Sequence, residues 1–311
     1  MPQYADNGDD HAYRLLDELV RLALTEQLAL THLSILRQIG LLISKFLAPS
    51  SLERPKDIFQ KLISEFNQGR KVSDSQIRTI FWIAKALVLQ MQFLDEVTGS
   101  LLSLLSHESC GLKVAQAFGL LVSPDEVLAK ENGARIRPLA KQKIFHICIP
   151  KFEEGFRSSD PWSQSNYLIA LSGVLKHVPA AVLMQESQTL LPMLLQSLEL
   201  PDPDVKAATI ENLTIISEEN AVAVEGHVGS MVARLLKAAV NPSLNAPSVR
   251  RNSLRCLHVL PGKIKDSVLL PSRNRVIRDL LAALDDSKRD IRKEAVECRA
   301  AWLGMDEPES D

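Results

Sequence analysis

Residues 190–209 decide the fold. They read Leu190-Leu191-Pro192-Met193-Leu194-Leu195-Gln196-Ser197-Leu198, then Glu199-Leu200, then Pro201-Asp202-Pro203-Asp204-Val205-Lys206-Ala207-Ala208-Thr209. Leu190, Leu191, Leu194, Leu195 and Leu198 fall on one face of a helix with a period near 3.6 residues. The Pro/Asp turn stops that helix and starts another. The arrangement returns about every 42 to 44 residues. Met231, Val232, Leu235, Leu236 and Ala239 form one later stripe; Val276, Ile277, Leu280, Leu281 and Leu284 form the next. The second helices open alike, as Asp204-Val205-Lys206, Ser248-Val249-Arg250 and Asp290-Ile291-Arg292.

The pattern also extends backwards. Cys148-Ile149-Pro150-Lys151-Phe152 aligns with Leu190 to Leu194, and Leu168, Leu171 and Val174 align with Ile210, Leu213 and Ile216. Four regular repeats therefore occupy 139–304. Helix pairs of this kind cannot bury their apolar faces alone, so they stack on their neighbours. The fold class is all-α: a HEAT-type helical-hairpin solenoid (α-α superhelix) of roughly six to eight pairs.

Before the regular array, residues 1–9 are polar and expected to be a disordered start. Less regular helical-hairpin repeats fill 10–122. Leu15, Leu16, Leu19, Leu22 and Ala23 share a face, and an apolar helix over 27–46 is broken by Pro49-Ser50-Ser51. Further pairs are expected at 56–66 with 73–91, and at 94–105 with 109–122. Ser73 or Asp74 is the expected N-cap, Asn67-Gln68-Gly69 the expected stop, and Ala117 and Gly119 allow close approach. Residues 123–138 lose periodicity and are expected to be an irregular connection and internal joint. The turn 241–247 is longer than its equivalents. Trp302 occupies the position of Ile216 and Leu260. The tail 305–311 is acidic, aperiodic and expected to be disordered.

The chain has 311 residues, 46% of them hydrophobic and 5% aromatic, a mix that suits helix-on-helix packing. A net charge of −2 does not mark the whole chain as a nucleic-acid or membrane binder. Lys45 and Lys85 interrupt the longest apolar runs, so no membrane span is expected. The polar start Met1-Pro2-Gln3-Tyr4 leads to the expectation of no signal peptide. Cys110, Cys148, Cys256 and Cys298 form no Cys-x-x-Cys pair and sit among apolar neighbours. Buried free thiols in a reducing compartment, cytoplasm or nucleus, are the expectation.

No nucleophile elbow, P-loop, His-Glu-x-x-His or dinucleotide fingerprint occurs, so the expectation is no enzyme and no cofactor. His146/Cys148 and Cys256/His258 are two apart on helices and point about 200° apart, which does not chelate one ion. The acidic pairs Glu153/Glu154, Glu218/Glu219 and Asp285/Asp286 fall at helix ends or turns and read as solvated. One feature is uneven: from Val228 to Arg299, cations outnumber acids roughly two to one. The candidate partner-binding residues are Arg250, Arg251, Arg255, Lys288, Arg289, Arg292 and Lys293. They can form a solvated mixed face, a docking surface for an acidic protein, or a nucleic-acid surface. No aromatic platform accompanies them, which disfavours nucleic acid. Asp204/Lys206 and Asp290/Arg292 also read as structural pairs that link stacked units, Arg250 among them.

The run 190–209, with Gly111-Leu112-Lys113-Val114-Ala115-Gln116-Ala117-Phe118-Gly119 and Ser165-Asn166-Tyr167-Leu168-Ile169-Ala170-Leu171, resembles the C-terminal HEAT region of the large methyl-methanesulfonate-sensitivity proteins. The resemblance spans the chain and implies a piece of a longer protein. It implies an adaptor of the cytosolic iron–sulfur assembly targeting complex, serving cytosolic and nuclear clients. The implied partners are a β-propeller assembly factor, a small acidic cluster-transfer protein, and iron–sulfur apoprotein clients such as DNA helicases and polymerases of repair and replication. It carries no short motif that assigns residues. The alternatives are another HEAT adaptor, of transport or phosphatase-scaffold type, or a nucleic-acid-binding module using the basic C-terminal repeats.

Overall fold

Apolar stripes at helical spacing, punctuated by Pro and Asp, fold as that spacing predicts. The computed structural model describes residues 6–68 and 72–305, and every regular element among them is helical. The chain divides into two units, 1–178 and 179–311.

The first unit holds eight α-helices: α1 (Asp6–Thr25), α2 (Ala29–Leu41), α3 (Glu53–Ser64), α4 (Asp74–Val88), α5 (Leu94–Ser103), α6 (Gly111–Ala117), α7 (Ala140–Ser158) and α8 (Pro161–Leu175). They pair as α1/α2, α3/α4 and α7/α8, while α5 and α6 both pack on the 3-10 turn Leu104–Ser106 between them. The second members pack side by side, α2 on α4, α4 on α6 and α6 on α8. The start of α4 is fixed by a capping box: Ser73 Oγ accepts from Gln76 N, and Gln76 Oε1 accepts from Ser73 N. Pro161 follows Asp160, whose carboxylate accepts from Trp162 N and Ser163 N to start α8. From Thr79 to Val88, α4 is buried on every side. Phe81, Phe118 and Phe152 link α4 to α7 through edge-to-face contacts, with ring centroids 5.6 and 5.5 Å apart.

The sequence reading of close approach at Gly119 is realised against α8. A Cβ on Gly119 would sit 2.8 Å from the Gly173 carbonyl oxygen, so two backbones touch where side chains would keep them apart. Gly119→Ala is therefore expected to lower stability by about 1–3 kcal/mol through forced displacement of one helix. Thermal unfolding checks this; an unchanged Tm would refute the close approach.

Several boundaries differ from expectation. Residues 6–9, placed in a disordered start, belong to α1, while 1–5 lie outside the described residues. The helix expected over 27–46 is α2 followed by a π turn, Leu42–Phe46. Arg135 holds that turn: its N–H donates to Ser44 Oγ at 2.8 Å, its Nε to Ser44 O at 2.6 Å, and its guanidinium also reaches Leu47 O. In residues 123–138, Gly133 at φ 80° closes a short 3-10 turn, Lys130–Asn132. These residues lie within the first unit, and the division falls after Val178. The reason is local bonding: Arg137 N donates to Leu89 O, and Asp125 pairs with Arg37 on α2. Gly69 of the expected stop lies outside the described residues.

The second unit holds α9 (Ala180–Gln185), α10 (Ser187–Ser197), α11 (Pro203–Glu219), α12 (Ala221–Glu225), α13 (Val228–Ala239), α14 (Pro247–Lys263), α15 (Asp266–Asp279), α16 (Leu281–Leu284) and α17 (Arg289–Leu303). Of the four repeats read at 139–304, the first is α7/α8 and the other three make up this unit. Their second helices α11, α14 and α17 pack in a row. Asp202 caps α11 ahead of Pro203, as Asp160 caps α8. The stripes on α10 and α13 are wholly buried. On the last pair only Val276 and Leu280 are; Leu281 is 49% exposed, because no described helix lies outside it. Trp302, Ile216 and Leu260 are all fully buried, and Trp302 Nε1 donates to Leu257 O at 2.8 Å. Met305, the first residue of the expected disordered tail, is buried, and 306–311 lie outside the described residues.

Candidate functional site

The seven cations singled out in the second unit do three different things. Lys206, Arg250 and Arg292 hold the same position in their helices. Lys206 Nζ donates to Asn245 Oδ1 in the next turn. Arg250 Nε and Nη2 donate to the two carboxylate oxygens of Asp286, in the turn after it, at 2.8 and 3.1 Å, and Nη1 donates to Asn245 O. Arg292 donates to Asp286 O. Both side chains of the Arg250–Asp286 pair are under 5% exposed. Burial raises the Asp286 pKa, but the Arg250 guanidinium and the Lys288 N–H outweigh it, so the carboxyl ends below its usual range. Arg250 is thus a correction to the predicted docking set: it is sealed inside the repeat stack and cannot meet a partner.

Arg251 and Arg255 do share a face of α14, but α17 supplies acids opposite them. Arg251 pairs with Asp290 at 3.4 Å and Arg255 with Glu294 at 2.6 Å. The predicted basic stripe is therefore a mixed face cross-linked between neighbouring helices, and such pairs at a surface stabilise by under about 1 kcal/mol each. Lys293 meets Glu297 loosely at 3.6 Å, with 77% of its side chain exposed. Lys288 and Arg289 are exposed and make no ion pair among the described residues. They precede and open α17, where cations oppose the helix dipole. Lys288, Arg289 and Lys293 are the members of the set that face solvent with their charge least compensated.

The first unit contains a feature that the sequence reading passed over. A groove of about 510 Å³ lies over α2, α4, α6 and the turn 123–125. Its apolar floor includes Leu36, Ile77 and Trp82; its cations are Arg37, Arg78, Lys85 and Lys113, and its acids Asp74 and Asp125. Asp125 pairs with Arg37 at 3.0 Å and accepts from the N–H groups of Val127 and Leu128. Asp74 pairs with Lys113 at 2.6 Å. Lys85 is 1% exposed. Its ammonium donates to Ser123 O at 2.8 Å and Ser123 Oγ at 3.2 Å, and lies 5.0 Å from the centroid of the Trp82 ring. Burial pushes its pKa down to about 8, against a partial restoring pull from Asp125. Sequence reading used Lys85 only to exclude a membrane span. The available signal was a lone charge inside the apolar run 80–89.

The four cysteines are buried and unpaired. Loss of hydration pushes Cys110 up to about 11, Cys148 and Cys256 up to about 12, and Cys298 higher still, so all are thiols at neutral pH. Among the described residues no group of three or more His, Cys, Asp or Glu is placed to hold a metal ion, and no helix is long and apolar enough to cross a membrane.

The family described as "RNAPII transcription regulator C-terminal" matches residues 9–261. The Xenopus tropicalis protein named "MMS19 nucleotide excision repair protein homolog" is 34% identical over 305 residues, covering 96% of this chain and 29% of the relative. The Homo sapiens protein of the same name is 36% identical over 233 residues, covering 74% of this chain and 22% of that protein. The chain therefore spans under a third of the length of these relatives. Among solved structures, computationally designed armadillo repeat proteins for modular peptide recognition superpose with a TM-score of 0.51 at 10% identity, over 78% of this chain and 98% of theirs. That likeness concerns the fold: an all-α solenoid.

Proposed function

Because the chain belongs to the MMS19 C-terminal family, we propose that it is a non-catalytic docking region of an adaptor linked to DNA repair and transcription. In this reading it holds a β-propeller assembly factor and a small acidic cluster-transfer protein, and helps deliver iron–sulfur clusters to helicases and polymerases in the cytoplasm and nucleus. The observation that carries the reading is the combination of family membership with a helix-pair array whose conspicuous polar groups are either ladder ties or solvent-facing charges. A stacked array offers a long surface at fixed spacing, which suits binding of other macromolecules.

The acidic partner is assigned to the cations around the start of α17. Lys288 and Arg289 sit there at a dipolar cost that an acidic partner surface would relieve. The triple reversal Lys288→Glu, Arg289→Glu, Lys293→Glu is expected to weaken capture of the small acidic factor by roughly tenfold. The pair Arg251→Glu, Arg255→Glu is expected to weaken it less, since those cations already have partners. Capture assays on folded variants check this. Full capture by the triple variant removes the assignment to α17.

A further inference from the structure

We propose that the groove over α2, α4 and α6 in the first unit is a docking site for an acidic protein segment that carries a bulky apolar side chain. The inference rests on the scaffold reading and adds a second surface, apart from α17, together with the chemistry of what it takes.

Charge balance comes first. The groove is lined by four cations and two acids, and both acids are already engaged, Asp74 by Lys113 and Asp125 by Arg37. The surplus is Arg78, which is exposed and makes no ion pair among the described residues, and Lys85. The Lys85 ammonium is withdrawn from water, and among the described residues it donates to the neutral oxygens of Ser123. Lys85 is as buried as Arg250 and meets no occupant directly. Its charge, without a carboxylate in salt-bridge range among the described residues, acts through its field on a carboxylate held at the groove mouth by the exposed Arg78. A basic or neutral occupant gains no such attraction.

Shape and polarity select the rest. Leu33 and Leu120, half-buried, give the groove an aliphatic floor over the buried Leu36, Ile77 and Ala117. A free anion would leave that floor wet, whereas an aliphatic or aromatic side chain covers it. Nucleic acid is disfavoured because the indole of Trp82 is only 3% exposed and offers no stacking platform. Side-by-side second helices present such anchors at regular intervals to a polypeptide laid across them.

Fluorescence anisotropy with the full chain tests the site. The probe is a labelled short peptide of alternating Glu and Leu with one Trp; its controls carry Lys for Glu, or are a single-stranded oligonucleotide. The acidic peptide is expected to bind saturably and the basic one not to. Arg78→Glu with Lys113→Glu is expected to weaken binding at least roughly tenfold while circular dichroism stays unchanged. Should that double variant misfold, Arg78→Gln alone, at an exposed position, is expected to weaken binding by roughly threefold. Equal binding of the basic peptide, unchanged affinity in a folded variant, absence of binding, or tighter oligonucleotide binding lost by the same reversals each overturns the proposal. Assembly-factor capture is read separately. Capture by the wild-type chain alongside a failed peptide titration removes the groove and keeps the scaffold. Failed capture removes the scaffold reading, and the titration still decides the groove.

Discussion

Arg250→Met is expected to lower the unfolding free energy of the second unit by about 3–5 kcal/mol. The variant keeps most of the aliphatic volume but strands the Asp286 carboxylate, which is 3% exposed on its side chain and held by two guanidinium N–H groups. It also leaves Asn245 O without its Nη1 donor. The ladder position runs through three repeats, so the break falls at the junction between the α13/α14 pair and the pair that follows. The sign of the pH dependence follows from Asp286. Its folded carboxyl lies below the ordinary aspartate value of 3.8, so its contribution is present above that value and is lost as pH falls through the folded pKa. Without Arg250 the burial penalty is opposed by the Lys288 N–H and the Arg292 charge and no longer by the guanidinium, so the pKa rises. The gap between wild type and variant should then be full at neutral pH and narrow below about pH 4. Chemical denaturation at pH 7 and pH 4 measures both. A loss below about 1 kcal/mol at pH 7 would show that the pair is hydrated and does not tie the repeats.

Lys85→Met is expected to do the opposite and stabilise the first unit by about 2 kcal/mol at neutral pH. Lowering the Lys85 pKa from 10.5 to about 8 corresponds to a burial cost on the order of 3 kcal/mol, at about 1.4 kcal/mol per pKa unit. Losing the bonds to Ser123 returns roughly 1 kcal/mol of that gain. Asp125 pulls toward the charged form, while Lys141 and Arg37 push against it. Below about pH 8 the folded and unfolded chains are both protonated and the full cost is present. As pH rises from about 8 toward 10.5, the folded state gives up its proton first and the wild type gains stability. The advantage of Lys85→Met should therefore be widest at neutral pH and close as pH approaches 10.5. A variant less stable than wild type at every pH would mean that Lys85 is net stabilising through Ser123 and Trp82. A stable, folded Lys85→Met chain that binds the acidic peptide more weakly would tie the cost of this lysine to docking.

The fold was legible because period 3.6 and the repeat spacing are properties of the sequence itself. Leu190, Leu194 and Leu198 lie on one stripe whatever covers them, and Pro203 after Asp202 starts a helix through local bonding alone. Unequal treatment of like residues was not legible. Arg250, Arg251 and Arg255 read as one basic cluster, yet the first is buried and bonded to Asp286 while the other two meet acids of α17. Which cation is neutralised depends on the partner helix a full repeat away, and periodicity does not reveal that register. Residues 123–138 show the same gap: loss of periodicity was read as a joint, but Arg135 and Arg137 bond to backbone carbonyls of distant turns and fasten the segment down. The groove was hidden for a related reason. Arg37, Lys85 and Lys113 stand on three separate helices, and only stacking makes them neighbours.

The most direct test of the scaffold reading is the mass of the assembly the chain forms. Size-exclusion chromatography with light scattering should be run on the chain mixed with the β-propeller assembly factor and the small acidic cluster-transfer protein. One co-eluting species of defined stoichiometry, retained at moderate salt, is the expected result. Separate elution of all three, with the chain shown to be helical and folded by circular dichroism, would contradict it.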